Sequence, residues 1–291
     1  DDVEWPDEYK NEVINKIFLN SASKCDGAAI TRYESQADTF WDTFYSLHSN
    51  RFFKDRSWLA SEFPEAFPKL PLRSKVKSES SYPGSNCAFR LLEVGCGVGN
   101  TAIPLSRLHK LVTSYLLLRP LDSFVYACDF SHQAIQLLKA LPEYDSENLL
   151  AFTCDVTNPC SEMPFHFESV DIIFLIFVLS SISPDKHEAV LRFLSRYLRP
   201  GGIILFRDYG RYDLAQARFK EGRCLSDNFY ARGDGTRVYF FELDEIHSLF
   251  SSIGFDEIEN KLDRRLVVNR LKMSKMYRVW VQSKYKKPVH A

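Results

Sequence analysis

From residue 89 onward the sequence alternates between short apolar stretches and amphipathic ones, and this alternation restricts the fold more than any other feature. The apolar stretches that predict β-strands are residues 89–95, 124–130, 149–156, 170–180 and 202–210. The intervening stretches that predict helices are residues 100–110, 131–141 and 184–198. A further helix is predicted at residues 243–255, with extended segments at 256–267 and 276–285. This order predicts an α/β fold whose mostly parallel sheet carries helices on both faces.

The N-terminal part of the chain has a different pattern. Phe40, Trp41, Phe44 and Tyr45 recur at helical spacing and predict one apolar helix face. Residues 60–88 are rich in proline, serine and lysine, which predicts a linker or loop. We therefore expect a boundary at residue 88, with a helical segment and linker at 1–88 and the α/β domain at 89–291.

Composition restricts the compartment and the partners. The longest apolar run, Ile172 to Leu179, is too short to cross a bilayer, so no membrane partner is expected. The seven cysteines form no metal-binding or disulfide pattern, which predicts no metal and a reducing compartment. We expect a monomer in the cytoplasm, with the nucleus and the mitochondrion as alternatives, because the true N-terminus is not established.

Charge is distributed unevenly along a chain of net charge −1. Residues 1–12 hold six acidic residues and one lysine, whereas residues 261–291 hold ten lysines and arginines and one acid. A basic end favours a polyanionic partner. A solvated surface with a frayed tail is an equally good reading of composition alone.

A glycine-rich loop follows the first predicted strand. Gly95, Gly97 and Gly99 permit a tight turn and the close approach of a ligand. Their spacing differs from the G-x-G-x-x-G of dinucleotide-binding proteins. Asp129 ends the second strand, where an acid accepts ribose hydroxyls. Asp155, with Val156 beside it, ends the third, so the set matches S-adenosylmethionine, although strand-end acids also serve as helix caps.

Several motifs together resemble one enzyme family. They are EVGCGVGN, YACDFS, CDV, LIFVLSSI, LFRDYGRYD, NFYARGDGTRVYFF, DRRLVVNR with MYRVWVQSKY, and WDTFYSLHSNRFFKDRSW. The sequence resembles the eukaryotic tRNA 3-methylcytidine methyltransferases over nearly all of the chain beyond about residue 33, and is most similar to the branch that acts on threonine-type tRNAs. The resemblance implies a Rossmann-like class I methyltransferase fold with a seven-stranded sheet. Residues 110–123 look like an insertion.

The resemblance also implies a cofactor site for S-adenosylmethionine and its product S-adenosylhomocysteine. The implied contacts are Trp41, Tyr45, Gly95, Gly97, Asp129, Phe130, Asp155, Val156 and Ile176. Trp41 and Tyr45 are four residues apart on one helix face, so both rings can cover the cofactor and exclude water. The alternative is that they are ordinary core aromatics.

The expected reaction places new positive charge on a base. Neutral cytosine has a free lone pair at N3, so no base needs to deprotonate it, but the nucleotide must be unpaired. We predict that the Asp208 carboxylate accepts a hydrogen bond from the N4 amino group, that Arg207 holds O2 or a phosphate, and that Tyr209 stacks on the ring. The alternative for Arg207 and Asp208 is a local ion pair.

The resemblance implies that the substrate is the anticodon stem-loop of a tRNA, methylated at position 32. The residues predicted to bind it are Arg51, Lys54, Arg56, Arg211, Arg218, Arg232, Arg237 and Lys284, several of them in an insert at residues 211–240. A helper protein such as an aminoacyl-tRNA synthetase stays open as a further partner. Methylation of a protein or small molecule is an alternative function, as is a non-catalytic RNA-binding module on the same fold.

Overall fold

The computed structural model describes residues 3–50, 52–67, 82–107, 122–269 and 274–289. The strands of its large sheet are β1 Phe89–Val94, β2 Ser123–Asp129, β3 Leu149–Thr153, β4 Val170–Ile176, β5 Leu198–Tyr209, β9 Asp256–Asn269 and β10 Ser274–Lys286. Their order is β3-β2-β1-β4-β5-β10-β9, and β1 pairs in parallel with both β2 and β4, as β2 does with β3. The predicted seven-stranded, mostly parallel sheet is confirmed.

The central strands are buried along their whole length. Every residue of β2 and of β4 is buried. A parallel strand covered on both faces needs apolar or small side chains throughout, which explains why these segments are apolar runs without alternation.

The helices of the described residues are α1 Asp7–Ser21, α2 Gly27–Ser35, α3 Ala37–His48, α4 Leu59–Glu62, α5 His132–Lys139, α6 His187–Ser195, α7 Leu214–Ala217 and α8 Leu243–Ser252, and residues 102–107 are also helical. The predicted aromatic helix is α3. Ser131 caps α5 as expected, because its hydroxyl accepts a hydrogen bond of 3.0 Å from the Ala134 N–H. No helix among the described residues is long and apolar enough to cross a membrane.

Two expectations about the segments that connect the main strands and helices need revision. The stretch predicted to be a linker begins with packed structure, because Phe63 and Ala66 are fully buried near α4. The insert at 211–240 forms a small antiparallel sheet of β6 Cys224–Ser226, β7 Phe229–Ala231 and β8 Arg237–Tyr239, which was not predicted. Most of the suggested insertion at 110–123 lies outside the described residues.

The chain divides into two compact units. The glycine-loop unit consists of Trp41–Leu175, Val190–Leu205 and Lys286–Ala291, and the insert unit of Asp1–Phe40, Ile176–Ala189 and Phe206–Tyr285. These units follow contacts in space, whereas the boundary at residue 88 was inferred from composition and stays a prediction. The first unit contains the glycine loop and the second contains the FRDYG segment at the end of β5.

Candidate functional site

The glycine loop between Val94 and Thr101 needs its glycines for two reasons. Gly95, Gly97 and Gly99 have φ angles of 61°, 53° and 90°, a region that other residues adopt at a cost. A Cβ added at Gly97 would also lie 2.5 Å from Oη of Tyr45. The missing side chain of Gly97 therefore makes room for an aromatic residue of α3, in addition to the tight turn and the ligand approach expected from the sequence.

Asp129 fixes the middle of this loop. Its Oδ2 accepts a hydrogen bond of 2.8 Å from the Gly97 N–H, and its Oδ1 accepts one of 2.9 Å from the Ser131 N–H. Burial raises the pKa of Asp129 to about 6, and these backbone hydrogen bonds oppose part of the rise. A carboxylate held in this way at the end of β2 is preorganised to accept hydroxyl groups of a ribose.

Trp41 and Tyr45 stack on each other, with ring centroids 5.7 Å apart and planes at 28°. Tyr45 is buried in an apolar cluster with Phe44 and Val98, and Trp41 packs against that cluster. The pair is thus part of a core and also lies against the glycine loop, through the close approach of Tyr45 to Gly97.

An unpredicted residue anchors α3. Asp42 Oδ1 accepts hydrogen bonds of 2.5 Å from Ser131 Oγ and 3.2 Å from the Gln133 N–H. These donors lie at the start of α5, where free N–H groups favour an anion. No local sequence motif indicates this contact, because the partners of Asp42 are about ninety residues away in the sequence.

The remaining predicted cofactor residues follow their strands as expected. Asp155 is half-buried, and its Oδ1 accepts from both the N–H and the hydroxyl of Thr157, each at 2.8 Å. Its Oδ2 has no hydrogen bond from another described residue, so it is the oxygen with acceptor capacity left. Phe130 is half-buried directly after β2, whereas Val156 and Ile176 are buried.

In the insert unit, Asp208 is fully buried near the end of β5. Its Oδ2 accepts a hydrogen bond of 3.0 Å from the Ser180 N–H, and its Oδ1 accepts one of 2.9 Å from the Tyr209 N–H. Burial raises the pKa of Asp208 to about 6, and hydrogen bonds from Ser180 and Tyr209 counteract part of that rise. The carboxylate is therefore mostly ionised at neutral pH, as a charge that water screens poorly.

Tyr209 is half-buried and carries a cation on its face. The guanidinium carbon of Arg232 lies 5.6 Å from its ring centroid, and the ring of Phe177 lies 5.0 Å away. Phe177 has a φ of 60°, which is rare for a bulky residue and is a form of strain found at functional sites. Sequence reasoning missed Phe177, because the LIFVLSSI run indicates only a buried strand.

Arg207, which was predicted to hold the base or a phosphate, has protein partners in the structure. Its guanidinium is buried, paired with Asp263 and hydrogen-bonded to Gln282, and it lies over the ring of Trp280 at 5.0 Å. Successive side chains of a strand point to opposite faces of the sheet. Arg207 and Asp208 therefore point to opposite faces of the sheet, and the same alternation places the Tyr209 side chain on the face of Arg207.

Four of the cations predicted to bind RNA form ion pairs with acids. The pairs are Arg56 with Glu93, Arg237 with Glu34, Arg211 with Glu242 and Lys284 with Glu259. Arg56, Arg237 and Lys284 are largely buried, and a buried cation requires such a partner. Lys54 and Arg218 are exposed, Arg232 is half-buried, and Arg51 lies outside the described residues.

The described residues contain no cluster of histidine, cysteine, aspartate and glutamate that could hold a metal ion. The glycine-loop unit contains backbone N–H groups, carboxylates at the ends of strands, and aromatic rings. These groups suit the ribose, amino group and adenine of S-adenosylmethionine, and the cramped glycine loop leaves no space for larger side chains.

Comparison with known proteins agrees with this geometry. A family model described as a methyltransferase domain matches residues 92–204. The chain is 46% identical to the tRNA N(3)-cytidine methyltransferase METTL2 of Danio rerio, over 99% of this chain and 84% of that protein. It is 45% identical to the tRNA N(3)-methylcytidine methyltransferase Mettl2 of Drosophila melanogaster, over 99% of this chain and 83% of that protein.

Solved structures show the same fold at low sequence identity. A SAM-dependent methyltransferase from Anabaena variabilis matches with a TM-score of 0.54 and 14% identity, covering 92% of this chain and 98% of that chain. The fold and the glycine-loop site define a Rossmann-like class I methyltransferase that uses S-adenosylmethionine. Within that class, the chain belongs to the tRNA N(3)-cytidine methyltransferase family.

Proposed function

We propose that this enzyme methylates N3 of a cytidine in the anticodon loop of tRNA, at position 32, and that threonine-type tRNAs are its substrates. Support for the tRNA cytidine activity comes from the named relatives at 46% and 45% identity over nearly the whole chain. The anticodon-loop site and the threonine branch rest on the sequence motifs. The free state of all seven cysteines fits work in a reducing compartment such as the cytoplasm.

One observation in the structure carries the base-binding part of the proposal. The half-buried Tyr209 ring has a flat face with Arg232 near it, and its neighbour in sequence is the buried, charged Asp208. An aromatic ring with an arginine suits stacking on an unpaired base. The carboxylate favours positive charge nearby, which is what methylation of N3 creates.

The residues of this chain would act mainly by positioning and by electrostatics. S-adenosylmethionine supplies an electrophilic methyl group when it is bound. Asp129 and Asp155 hold the nucleoside part, Trp41 and Tyr45 exclude water, and Tyr209 orients the cytosine ring. Asp208 stabilises the cationic ring as N3 gains the methyl group as its third substituent and S-adenosylhomocysteine leaves. Because Asp208 is fully buried, we propose that it acts through its charge, and contact with N4 would require Tyr209 or the backbone at Ser180 to shift.

The decisive experiment is methylation of tRNA with the purified full chain and labelled S-adenosylmethionine, followed by mass spectrometry of the nucleosides. We expect 3-methylcytidine in the anticodon-loop fragment of a threonine-type tRNA. The same transcript with uridine at position 32 should remain unlabelled. Label in protein or in a small molecule without tRNA would contradict the proposal, and so would cofactor binding without any transfer to RNA.

A further inference from the structure

The loop that follows α3 exposes aromatic rings next to the cofactor site. Phe52 and Phe53 are 55% and 39% exposed, and Lys54 beside them is exposed with no ion pair to another described residue. We call residues 52–58 the aromatic loop. Single-stranded RNA suits such a surface, because bases stack on the rings and phosphates pair with the cation.

The backbone of the aromatic loop is hydrogen-bonded to the end of the glycine loop. The Arg56 N–H donates to the Asn100 carbonyl at 3.0 Å. In return, Asn100 Nδ2 donates to the Phe53 carbonyl at 3.3 Å and to Asp55 Oδ1 at 3.2 Å. Three polar contacts therefore fix the position of the aromatic loop relative to Asn100.

The side chain of Arg56 joins the two ends of the glycine loop. Its Nη1 donates to Glu93 Oε1 at 3.0 Å, just before the loop, and to Thr101 Oγ1, just after it. The Arg56 side chain is 16% exposed, Glu93 1% and Thr101 is fully buried. A single guanidinium nitrogen thus fixes the distance between residues 93 and 101, while the backbone of the same residue holds the aromatic loop.

Ring packing provides a second connection between the same parts. Phe44 on α3 contacts Phe52 and Phe53, with centroids 4.9 Å and 5.9 Å apart, and contacts Tyr45 at 5.4 Å. Tyr45 in turn lies against Gly97. The aromatic loop is therefore attached to the glycine loop from two sides, by polar contacts through Arg56 and by rings through α3.

We propose that Arg56 is a positioning residue shared by the two ligands, holding the glycine loop for S-adenosylmethionine and the aromatic loop for RNA without itself contacting phosphate. This inference rests on the proposed function for its RNA half. A guanidinium already committed to buried Glu93 and Thr101 cannot leave them for a phosphate without stranding a buried carboxylate. Its loss should weaken the binding of both ligands together.

Three variants of the full chain test this role. Arg56→Lys keeps the positive charge but cannot reproduce the geometry of the planar guanidinium. Thr101→Val removes the acceptor on the far side of the glycine loop at nearly constant volume, and this buried residue cannot touch RNA. Lys54→Gln is the matched control, because it removes an exposed cation two residues from Arg56 and leaves the polar contacts of Arg56 in place.

The measurements are calorimetric affinity for S-adenosylhomocysteine without RNA, and the salt dependence of affinity for an anticodon stem-loop transcript with cytidine at position 32. For Arg56→Lys and Thr101→Val we expect about tenfold weaker cofactor binding, as for loss of a hydrogen bond to a charged group. We expect roughly fivefold weaker RNA binding at every salt concentration with an unchanged slope. Lys54→Gln should keep the cofactor affinity and lower the slope by about 0.7 to 0.9.

Two results would overturn the inference. One is a lower salt slope for a fourth variant, Arg56→Gln, which unlike Arg56→Lys removes the charge, since it would make Arg56 a phosphate contact. The other is cofactor and RNA affinity for Thr101→Val within twofold of wild type, measured below the thermal midpoint of each variant. If the wild type binds S-adenosylhomocysteine but no tRNA, the proposed function fails with the RNA half of the inference, and the cofactor affinities still decide whether Arg56 holds the glycine loop.

Discussion

At the scale of single residues, the proposed methyl transfer depends most on the charge of Asp208. Asp208→Asn keeps the size but only one of the two backbone hydrogen bonds, because its amide has a single acceptor oxygen. It also removes the negative charge, which interacts with a cationic base only in the transition state. We expect a single-turnover rate lower by roughly a hundred- to a thousandfold, with cofactor and tRNA affinity nearly unchanged. A variant within a few-fold of wild type would make Asp208 structural.

The pH dependence of the same rate constant provides an independent check. Since burial raises the pKa of Asp208 to about 6, the carboxylate gains a proton, and loses its charge, as pH falls through that value. The wild-type rate should fall about tenfold per pH unit below 6. Both ligands are kept saturating, because burial also raises the pKa of Asp129 to about 6 and its protonation would weaken cofactor binding. Asp208→Asn should lose this dependence.

At Gly97, the effects of backbone strain and of steric conflict on cofactor binding can be separated. Gly97→Ala has an unfavourable φ and places Cβ against Oη of Tyr45, so we expect at least tenfold weaker S-adenosylhomocysteine binding. Gly254→Ala is the control, because its φ of 79° is at least as unfavourable but no atom lies within 4 Å of the added Cβ. Adding Tyr45→Phe to Gly97→Ala should restore part of the affinity. No recovery would mean that strain alone explains the loss.

At the scale of secondary-structure elements, α3 should depend on its anchor at α5. Asp42→Ala removes two hydrogen bonds and leaves the Ser131 hydroxyl without its acceptor, so we expect a loss of about 1–2 kcal/mol in the free energy of unfolding. Cofactor affinity should fall several-fold, because Trp41 and Tyr45 belong to the same helix. Ser46→Ala, at an exposed position one turn along α3, should change neither quantity. Chemical denaturation and calorimetry give the two values.

The elements that the sequence predicted well are those whose pattern is set by burial alone. β2 and β4 are apolar runs because both faces of a central parallel strand are covered, and α3 shows its apolar face directly. The three short strands of the insert were missed, because each has only three residues and too little length for alternation to show. The contacts of Asp42 and Arg56 were missed for another reason, since their partners are distant in sequence and have no fixed spacing.

At the scale of the whole molecule, the distribution of charge along the sequence did not predict the surroundings of individual lysines and arginines. The basic C-terminal stretch predicts a polyanion surface, yet Lys284 is buried near Glu259, and Lys287 donates to Glu168 and to the carbonyls of Ser195 and Leu198. Composition counts these cations but does not reveal that the fold uses them. The strand-end positions of Asp129 and Asp155 were predictable because both residues follow apolar runs, whereas the cations predicted to bind RNA could be sorted only by their burial and partners in the structure.

The salt dependence of tRNA binding should follow this sorting. Each lysine or arginine that neutralises a phosphate contributes roughly 0.7 to 0.9 to the slope of log affinity against log salt. Lys54 and Arg218 are exposed and make no ion pair with another described residue, so the double change Lys54→Gln with Arg218→Gln should lower the slope by about 1.4 to 1.8.

Lys287→Gln should leave the slope unchanged and instead lower the free energy of unfolding by about 1–2 kcal/mol, because it removes donors to two backbone carbonyls. Filter binding across a salt series gives the slopes. The reverse pattern, in which Lys287→Gln flattens the slope and the exposed pair does not, would mean that the C-terminal end contacts the RNA and the burial-based sorting is wrong.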